Sequence, residues 1–357
     1  MVHVRPGELL VAGRAALAEG RWADARAAAI HALADGETGP LNEVLASAAW
    51  WLGDDATSVP ACERAYALYR RTGDEFGAAR CAVWLAIVYK ANFADHPAAN
   101  GWLRRAERLL GSSPVGPAHG WVWIAQGYRN PDLAEAERLT RAAGDVANED
   151  VDLALVALSQ LGLIRVMSGD AGGFDLVDEA LAAALAGERT SLDTVVYTCC
   201  DMLRACEVAG DLDRATQWSV VADRFVEHYG CPFLFAECRI YYGSVLTARG
   251  RWHDGERELA VGVRCTADRY PVLHSQAVAR LARLRLQRRR TEDAELLTAR
   301  ERQVLELLGA GLTNPEIAAA LQVSRKTAAH HVSSILAKLG LRNRVEAAAW
   351  AVRAEPK

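Results

Sequence analysis

Residues 324–339 carry the pattern most open to a chemical reading. Ala328, Val332, Ile335, Leu336 and Leu339 fall at i, i+4, i+7, i+8 and i+11, one apolar stripe of a helix. The opposite face shows Lys326, Ala329, His330, Ser333 and Ala337. A face this small and uncrowded fits a major groove about 12 Å wide. Ser324 caps the helix, whose free N-terminal amides and positive dipole suit a phosphate.

Covalent chemistry finds little support. Lys90, Lys326, Lys338 and Lys357 are the four lysines; none follows a glycine, so the phosphate-binding Gly-Lys-Ser/Thr loop is missing. There is no strand-helix-strand pattern with a phospho-acceptor aspartate, no nucleophile elbow and no zincin motif. Asp54-Asp55 and Glu149-Asp150 sit where turns are expected and read as helix caps. Eight cysteines form no C-x-x-C pair and read as small buried apolar residues. His228-x-x-Cys231 is the nearest approach to a zinc pair and falls short of one. Neither an enzyme nor a cofactor is expected.

The elements that would position residues 324–339 are legible nearby. Thr298-Ala-Arg-Glu301 and Thr313-Asn-Pro-Glu316 are capping boxes that open two helices. Val304, Leu305, Leu307 and Leu308 line the first helix; Ile317, Ala318 and Leu321 line the second. Gln322-Val323 leaves only a short turn before Ser324, the spacing of a helix-turn-helix. After Gly340 a fourth helix is expected over 343–352, with Val345, Ala348, Ala349 and Val352 apolar.

Charge separates the same region from the rest. Residues 280–357 hold 15 Lys+Arg and 8 Asp+Glu, a net of +7, whereas the chain of 357 residues is −4, leaving −11 on residues 1–279. A basic end on an acidic body suits nucleic-acid binding by that end alone. Six arginines between Arg280 and Arg290 mark the boundary; they suit either phosphate contact or the solvated face of a last helix. The expected division is 1–290 and 291–357. Half the chain is apolar, no apolar run approaches the roughly 20 residues of a membrane span, and Met1–Leu10 has no signal-peptide pattern. A cytoplasmic protein without membrane contact is expected.

Residues 1–290 repeat. Gly13-Arg14-x5-Gly20-Arg21-Trp22-x2-Ala25-x6-Ala32 aligns with Gly243-x6-Gly250-Arg251-Trp252-x2-Gly255-x6-Gly262. Small residues at matching offsets let two antiparallel helices approach, and the central glycine permits a left-handed turn. Each Trp is expected to open the second helix and pack back over the turn. Gly210-Asp211-Leu212 and Gly169-Asp170 suggest further turns, whereas 91–101 and 111–131 fit poorly. These offsets resemble the tetratricopeptide repeat, which implies stacked helix pairs with a concave groove for a protein, a peptide or a small-molecule effector. Ten tryptophans fit either core packing or an aromatic groove, for which Trp50, Trp51, Trp84, Trp121 and Trp123 are the candidates.

Leu297-Thr-x-Arg-Glu-x-x-Val-Leu, Gly311-Leu-Thr-Asn-x-Glu-Ile-Ala, Leu321-x-Val-Ser-x-x-Thr-x-x-x-His-Val and Ile335-Leu-x-Lys-Leu-Gly together resemble the LuxR-type (NarL-like) DNA-binding domain over 296–353. The two resemblances together imply an all-α protein: a tetratricopeptide-like α-solenoid followed by a four-helix helix-turn-helix domain. The second resemblance carries the rest. It implies that helix 324–339 reads double-stranded DNA at a promoter inverted repeat. It also implies a homodimer paired through Val345, Ala348, Ala349 and Val352. Glu316 and Thr327 match framework positions, and His331 a packing position. Many members carry Thr-Val-Lys where this chain has Thr327-Ala328-Ala329, and a basic residue where it has Ser333. Base reading then falls to Lys326, His330 and Ser333 beside Thr327, with phosphate contacts from Arg325, Lys338, Arg342 and Arg344. The function implied is a transcription regulator whose repeat region senses a ligand or partner. The alternative is an adaptor whose C-terminal domain mainly dimerises.

Overall fold

In a computed structural model of the chain, residues 5–111 and 113–354 are described, except for the side chains of residues 290, 294, 353 and 354. All regular elements among the described residues are helices. The first eight are α1 (Pro6–Ala18), α2 (Trp22–Leu33), α3 (Gly39–Trp51), α4 (Asp55–Thr72), α5 (Glu75–Ala91), α6 (His96–Leu110), α7 (Pro117–Gly127) and α8 (Leu133–Asp145). Then come α9 (Val151–Met167), α10 (Gly173–Ala186), α11 (Asp193–Ala209), α12 (Leu212–Tyr229), α13 (Pro232–Ala248), α14 (Trp252–Thr266) and α15 (Pro271–Glu295). Four shorter helices close the chain: α16 (Ala299–Gly309), α17 (Asn314–Ala320), α18 (Arg325–Lys338) and α19 (Arg344–Ala354). No helix among the described residues is long and apolar enough to cross a membrane.

The chain divides into two compact units, Met1–Arg280 and Leu281–Lys357. The division falls inside α15, a helix that runs on through the 290/291 position where the charge pattern placed the boundary. Of the boundary arginines, Arg280 pairs with Glu207 at 3.0 Å and Arg288 with Glu292 at 3.1 Å. The Arg290 side chain lies outside the described residues.

In the first unit consecutive helices pack as pairs, and odd-numbered helices stack on one another from α5 through α13. The small residues do what their offsets imply. Gly20 and Gly250 adopt φ of 75° and 78°, the left-handed turn between paired helices. A Cβ on Gly255 would lie 2.9 Å from the Gly243 carbonyl oxygen, so α13 and α14 touch backbone to backbone there. Asp54 and Asp150 cap α4 and α9, accepting from the amides of Thr57 (3.1 Å) and Leu153 (2.9 Å). The poorly fitting stretches hold the start of α6, from His96, and the whole of α7.

Trp22 and Trp252 open α2 and α14. Trp22, however, does more than cover its own turn. It stacks on Trp51 with ring centroids 4.2 Å apart, and its Nε1 donates to the Tyr229 carbonyl at 2.6 Å, 207 residues away. Trp51 Nε1 donates to Asp193 at 2.8 Å, and its ring lies 6.2 Å from Phe225. The array therefore curls until α2 and α3 meet α11 and α12, with the odd-numbered helices facing inward.

The second unit has a core of Leu297, Val304, Leu305, Leu308, Ile317, Ala318, Ala328, Val332, Ile335 and Ala347. A Cβ on Gly309 would sit 2.9 Å from Ala351 Cβ, which fixes the close crossing of α16 and α19.

Candidate functional sites

In the second unit, two capping boxes and a tight turn hold the surface helix. Thr298 Oγ1 accepts from the Glu301 amide at 3.2 Å while Glu301 Oε2 accepts from the Thr298 amide at 2.7 Å. The Thr313 amide and hydroxyl donate to Glu316 at 2.7 and 2.6 Å. Gln322 takes a left-handed φ of 53° and closes the turn between α17 and α18. Ser324 Oγ then accepts from the Thr327 amide at 3.0 Å and starts α18.

On α18, Ala328, Val332 and Ile335 are buried, while Arg325, Lys326, Thr327, His330, Ser333, Ala337 and Lys338 are exposed. Ala329 and His331 are half-buried. Arg325, Lys326, Thr327, His330 and Ser333 thus form one continuous surface. Thr327 Oγ1 is shared with Ser324 Oγ at 2.8 Å, so it helps to hold the cap as well as face solvent.

Three flanking cations already have intramolecular partners. Lys338 Nζ lies 2.6 Å from Glu301 Oε2. Arg344 donates to the Leu312 carbonyl at 2.5 Å and to Asn314 at 3.4 Å. Arg342 pairs with Glu346 while remaining 87 % exposed. Lys338 and Arg344 therefore tie helices together inside the unit. The sequence pattern did not reveal this, because Glu301 is 37 residues from its lysine.

Glu301 is the electrostatic centre of this unit. Burial opposes its ionisation, but hydrogen bonds from Lys338, Ser334 (2.6 Å) and Thr298 outweigh that and hold its carboxyl down at about 2. The Glu in a capping box was legible; its second job, gripping the end of α18, was not.

On α19, Ala347 is buried and Trp350 and Ala351 pack on the core. Val345 and Val352 are 71 % and 63 % exposed, with Ala348 and Ala349 half-buried between them. The four form an apolar strip along the outer side of the helix.

The first unit holds two neighbouring, half-open cavities. The larger, about 780 Å³, is lined in part by Arg14, Glu43, Arg80, Trp84, Trp121 and Asp152. The smaller, about 300 Å³, is lined in part by Trp50, Trp84, Lys90, Arg129, Arg204 and Phe233. Trp84, Ile87, Asp193 and Tyr197 border both. Of the five tryptophans that are the candidates for an aromatic groove, Trp50, Trp84 and Trp121 face cavities. Trp51 does not: it is 1 % exposed, locked between Trp22 and Asp193. Trp123 does not either, packing instead beside His119 and the core around Ile124.

Charged groups also reach the smaller cavity. Burial pushes Asp201 up to about 7, although Tyr128 OH (2.8 Å) and Ser159 Oγ (3.0 Å) donate to it. Burial likewise lifts Asp193 to about 6. Lys90 is driven down to about 8 by burial and by the positive charges of Arg204 and Arg129. Sequence reasoning missed these groups because they lie on α5, just after α7 and on α11, and no spacing within one helix announces them.

The geometry of the second unit defines a helix-turn-helix protein, with α18 as the second helix of the motif. Residues 295–351 match the bacterial regulatory proteins of the luxR family, so this stretch is a LuxR-family DNA-binding domain. The nitrate/nitrite response regulator protein NarL of Escherichia coli (strain K12) is 46% identical over 70 residues, 19% of this chain and 32% of that protein. The response regulator protein VraR of Staphylococcus aureus (strain Mu3) is 36% identical over 95 residues, 27% of this chain and 44% of its own length. The chain thus spans less than half the length of these relatives. Among solved structures, the tetratricopeptide-repeat domain of P58(IPK) aligns with 79% of this chain and 98% of its own, at 10% identity and a TM-score of 0.21.

Proposed function

We propose that this protein is a transcription regulator that reads double-stranded DNA through α18 as a homodimer, under the control of an effector held by the helical array. The observation that carries the reading is the face of α18. Arg325, Lys326, Thr327, His330 and Ser333 stand together in solvent, in a domain of a DNA-binding family. Lys326, His330 and Ser333 take the base edges. Arg325 and Arg342, with the N-terminus of α18, take phosphates. Lys338 and Arg344 act by holding the unit rigid.

The strip Val345, Ala348, Ala349 and Val352 supplies the subunit contact, since exposed aliphatic side chains in a row favour burial against a copy of themselves. Two subunits then meet an inverted repeat. The protein works in the cytoplasm and acts by binding rather than by catalysis.

The test is binding of the full chain to its own upstream DNA at two salt concentrations. Sequence-selective binding that weakens as salt rises supports the reading; binding with neither property ends it. The adaptor reading draws on the modest charge of α18, where Ala329 and Ser333 carry none and Lys338 is already paired. Lys326→Ala with His330→Ala separates the two: unchanged promoter occupancy would favour the adaptor.

A further inference from the structure

We infer that the smaller cavity of the helical array binds a small amphipathic organic acid, its carboxylate on Lys90, Arg129 and Arg204 and its apolar body against Trp50, Trp84 and Phe233. The inference rests on the reading of the first unit as the effector-receiving part, and it gives that effector a chemistry.

Charge balance is the first argument. Three cations border this cavity with three carboxyls, Asp193, Asp201 and Glu237. Among the described residues no ion pair joins the two sets. The carboxyls are held by neutral donors instead: Asp193 by Trp51 Nε1, Asp201 by Tyr128 and Ser159, and Glu237 by the Cys200 thiol. Burial pushes all three toward their neutral forms. Lys90 Nζ meets only the Tyr128 carbonyl, at 2.6 Å. Arg204 lies in the field of Asp201 and Glu237, but Lys90 and Arg129 have no carboxylate beside them and are both pushed down by burial, an arrangement that a bound anion relieves.

Unmet hydrogen-bond donors are the second argument. Arg129 Nη1 and Trp50 Nε1 are buried with no partner. Buried donors are almost always satisfied; both residues border this cavity, and a small rotation of either side chain would turn an unmet donor toward an acceptor held there.

Shape and polarity decide the rest. A volume of about 300 Å³ is at the small end of small-molecule pockets and leaves no room for a folded partner. Trp50, Trp84, Tyr197 and Phe233 supply apolar and aromatic surface. The neighbouring cavity carries Glu43, Glu149, Asp150 and Asp152 against Arg14 and Arg80. It repels a carboxylate, so the acid group is directed to the cationic end.

The test uses the full chain without DNA. A fluorescent aromatic anion, 1-anilinonaphthalene-8-sulfonate, reports occupancy, and indole-3-acetate, benzoate and octanoate compete with it beside their neutral amides and inorganic phosphate. We expect at least one carboxylate to displace the dye at least tenfold more tightly than its amide and than phosphate. Arg129→Gln and Arg204→Gln should each erase that preference while leaving amide binding unchanged. Trp50→Phe, which keeps an aromatic core, should weaken acid and amide alike.

Equal binding of acid and amide, displacement by phosphate alone, or no displacement by any member of the panel would overturn the inference. So would an unchanged preference in both arginine variants. DNA affinity is measured separately. A carboxylate that binds but leaves DNA affinity unchanged ends the sensor reading and leaves the site standing.

Discussion

The two units turn their cations in opposite directions. The second unit sets Arg325, Lys326 and Arg342 on the outside of a small core, where water keeps them charged at little cost. The first unit sets Lys90, Arg129 and Arg204 around a half-open cavity, where burial acts on all three and the two arginines repel Lys90. An outward cation waits for a partner as large as a duplex; an inward one admits only what fits the space. Their acids contrast as well. Glu301 is held ionised by its donors, whereas Asp193 and Asp201 are pushed toward neutrality by burial. One unit is built to present charge; the other leaves Lys90 and Arg129 without a carboxylate beside them.

The contrast can be broken at several points. The largest expected effect is at Trp51, where the array closes on itself. Trp51→Ala should cost the first unit about 3–5 kcal/mol, the usual loss for a buried large aromatic. Hydrogen exchange should show lost protection across helices α2, α3, α11 and α12 while α16–α19 keep theirs. Equal loss in both regions would mean that they do not stand apart energetically.

Glu301→Gln comes next, at about 1–3 kcal/mol, because Lys338 and the Thr298 cap lose a charged partner together and the lysine is only partly buried. The expected signature is a lower urea midpoint for α16–α19 and weaker DNA binding, since α18 loses its anchor. A normal midpoint would return Lys338 to the list of free phosphate contacts.

Acid should act on the two units differently. Glu301 has its folded pKa below the ordinary 4.5, so its contribution is present above that value and is lost as pH falls from 4.5 toward about 2. Asp193 and Asp201 have folded pKa values of about 6 and about 7 against an ordinary 3.8. The folded first unit therefore binds more protons, and these groups cost it stability as pH rises from 3.8 to 7. Segment-resolved hydrogen exchange at pH 7 and 5, corrected for intrinsic rates, should show the first unit gaining protection and the second unchanged. Parallel changes would collapse the comparison.

Lys326→Ala should weaken DNA binding at every sequence tested if it meets phosphate, lowering the salt slope by about 1. If it meets a base, one position of the site relaxes while the slope holds. The smallest effect belongs to Gln322. A glycine there removes left-handed strain but loosens the unfolded chain, so Gln322→Gly should change stability by less than about 1 kcal/mol in thermal melts.

Much of the second unit was legible because its signals are short-range. Capping boxes span four residues, the α18 stripe repeats within fifteen, and the family motifs follow them. The dual use of Glu301 escaped because its partners Ser334 and Lys338 lie more than thirty residues away. In the first unit the Gly-x6-Gly spacing announced paired helices and their turns. It did not announce where the pairs would lead. Of the groove candidates, Trp51 instead packs in the core and closes the array, and Trp123 lines neither cavity.

By itself the sequence determined the helices, their caps, the pairing of neighbours and the exposed face of α18. All of these follow from backbone geometry and a 3.6-residue period acting over one or two turns. Only the tertiary structure decided which tryptophans face a cavity and which cations meet across it. Curvature accumulates over many small helix-to-helix rotations, and the contact it finally makes, between Trp22 and Tyr229, joins residues that no local rule connects.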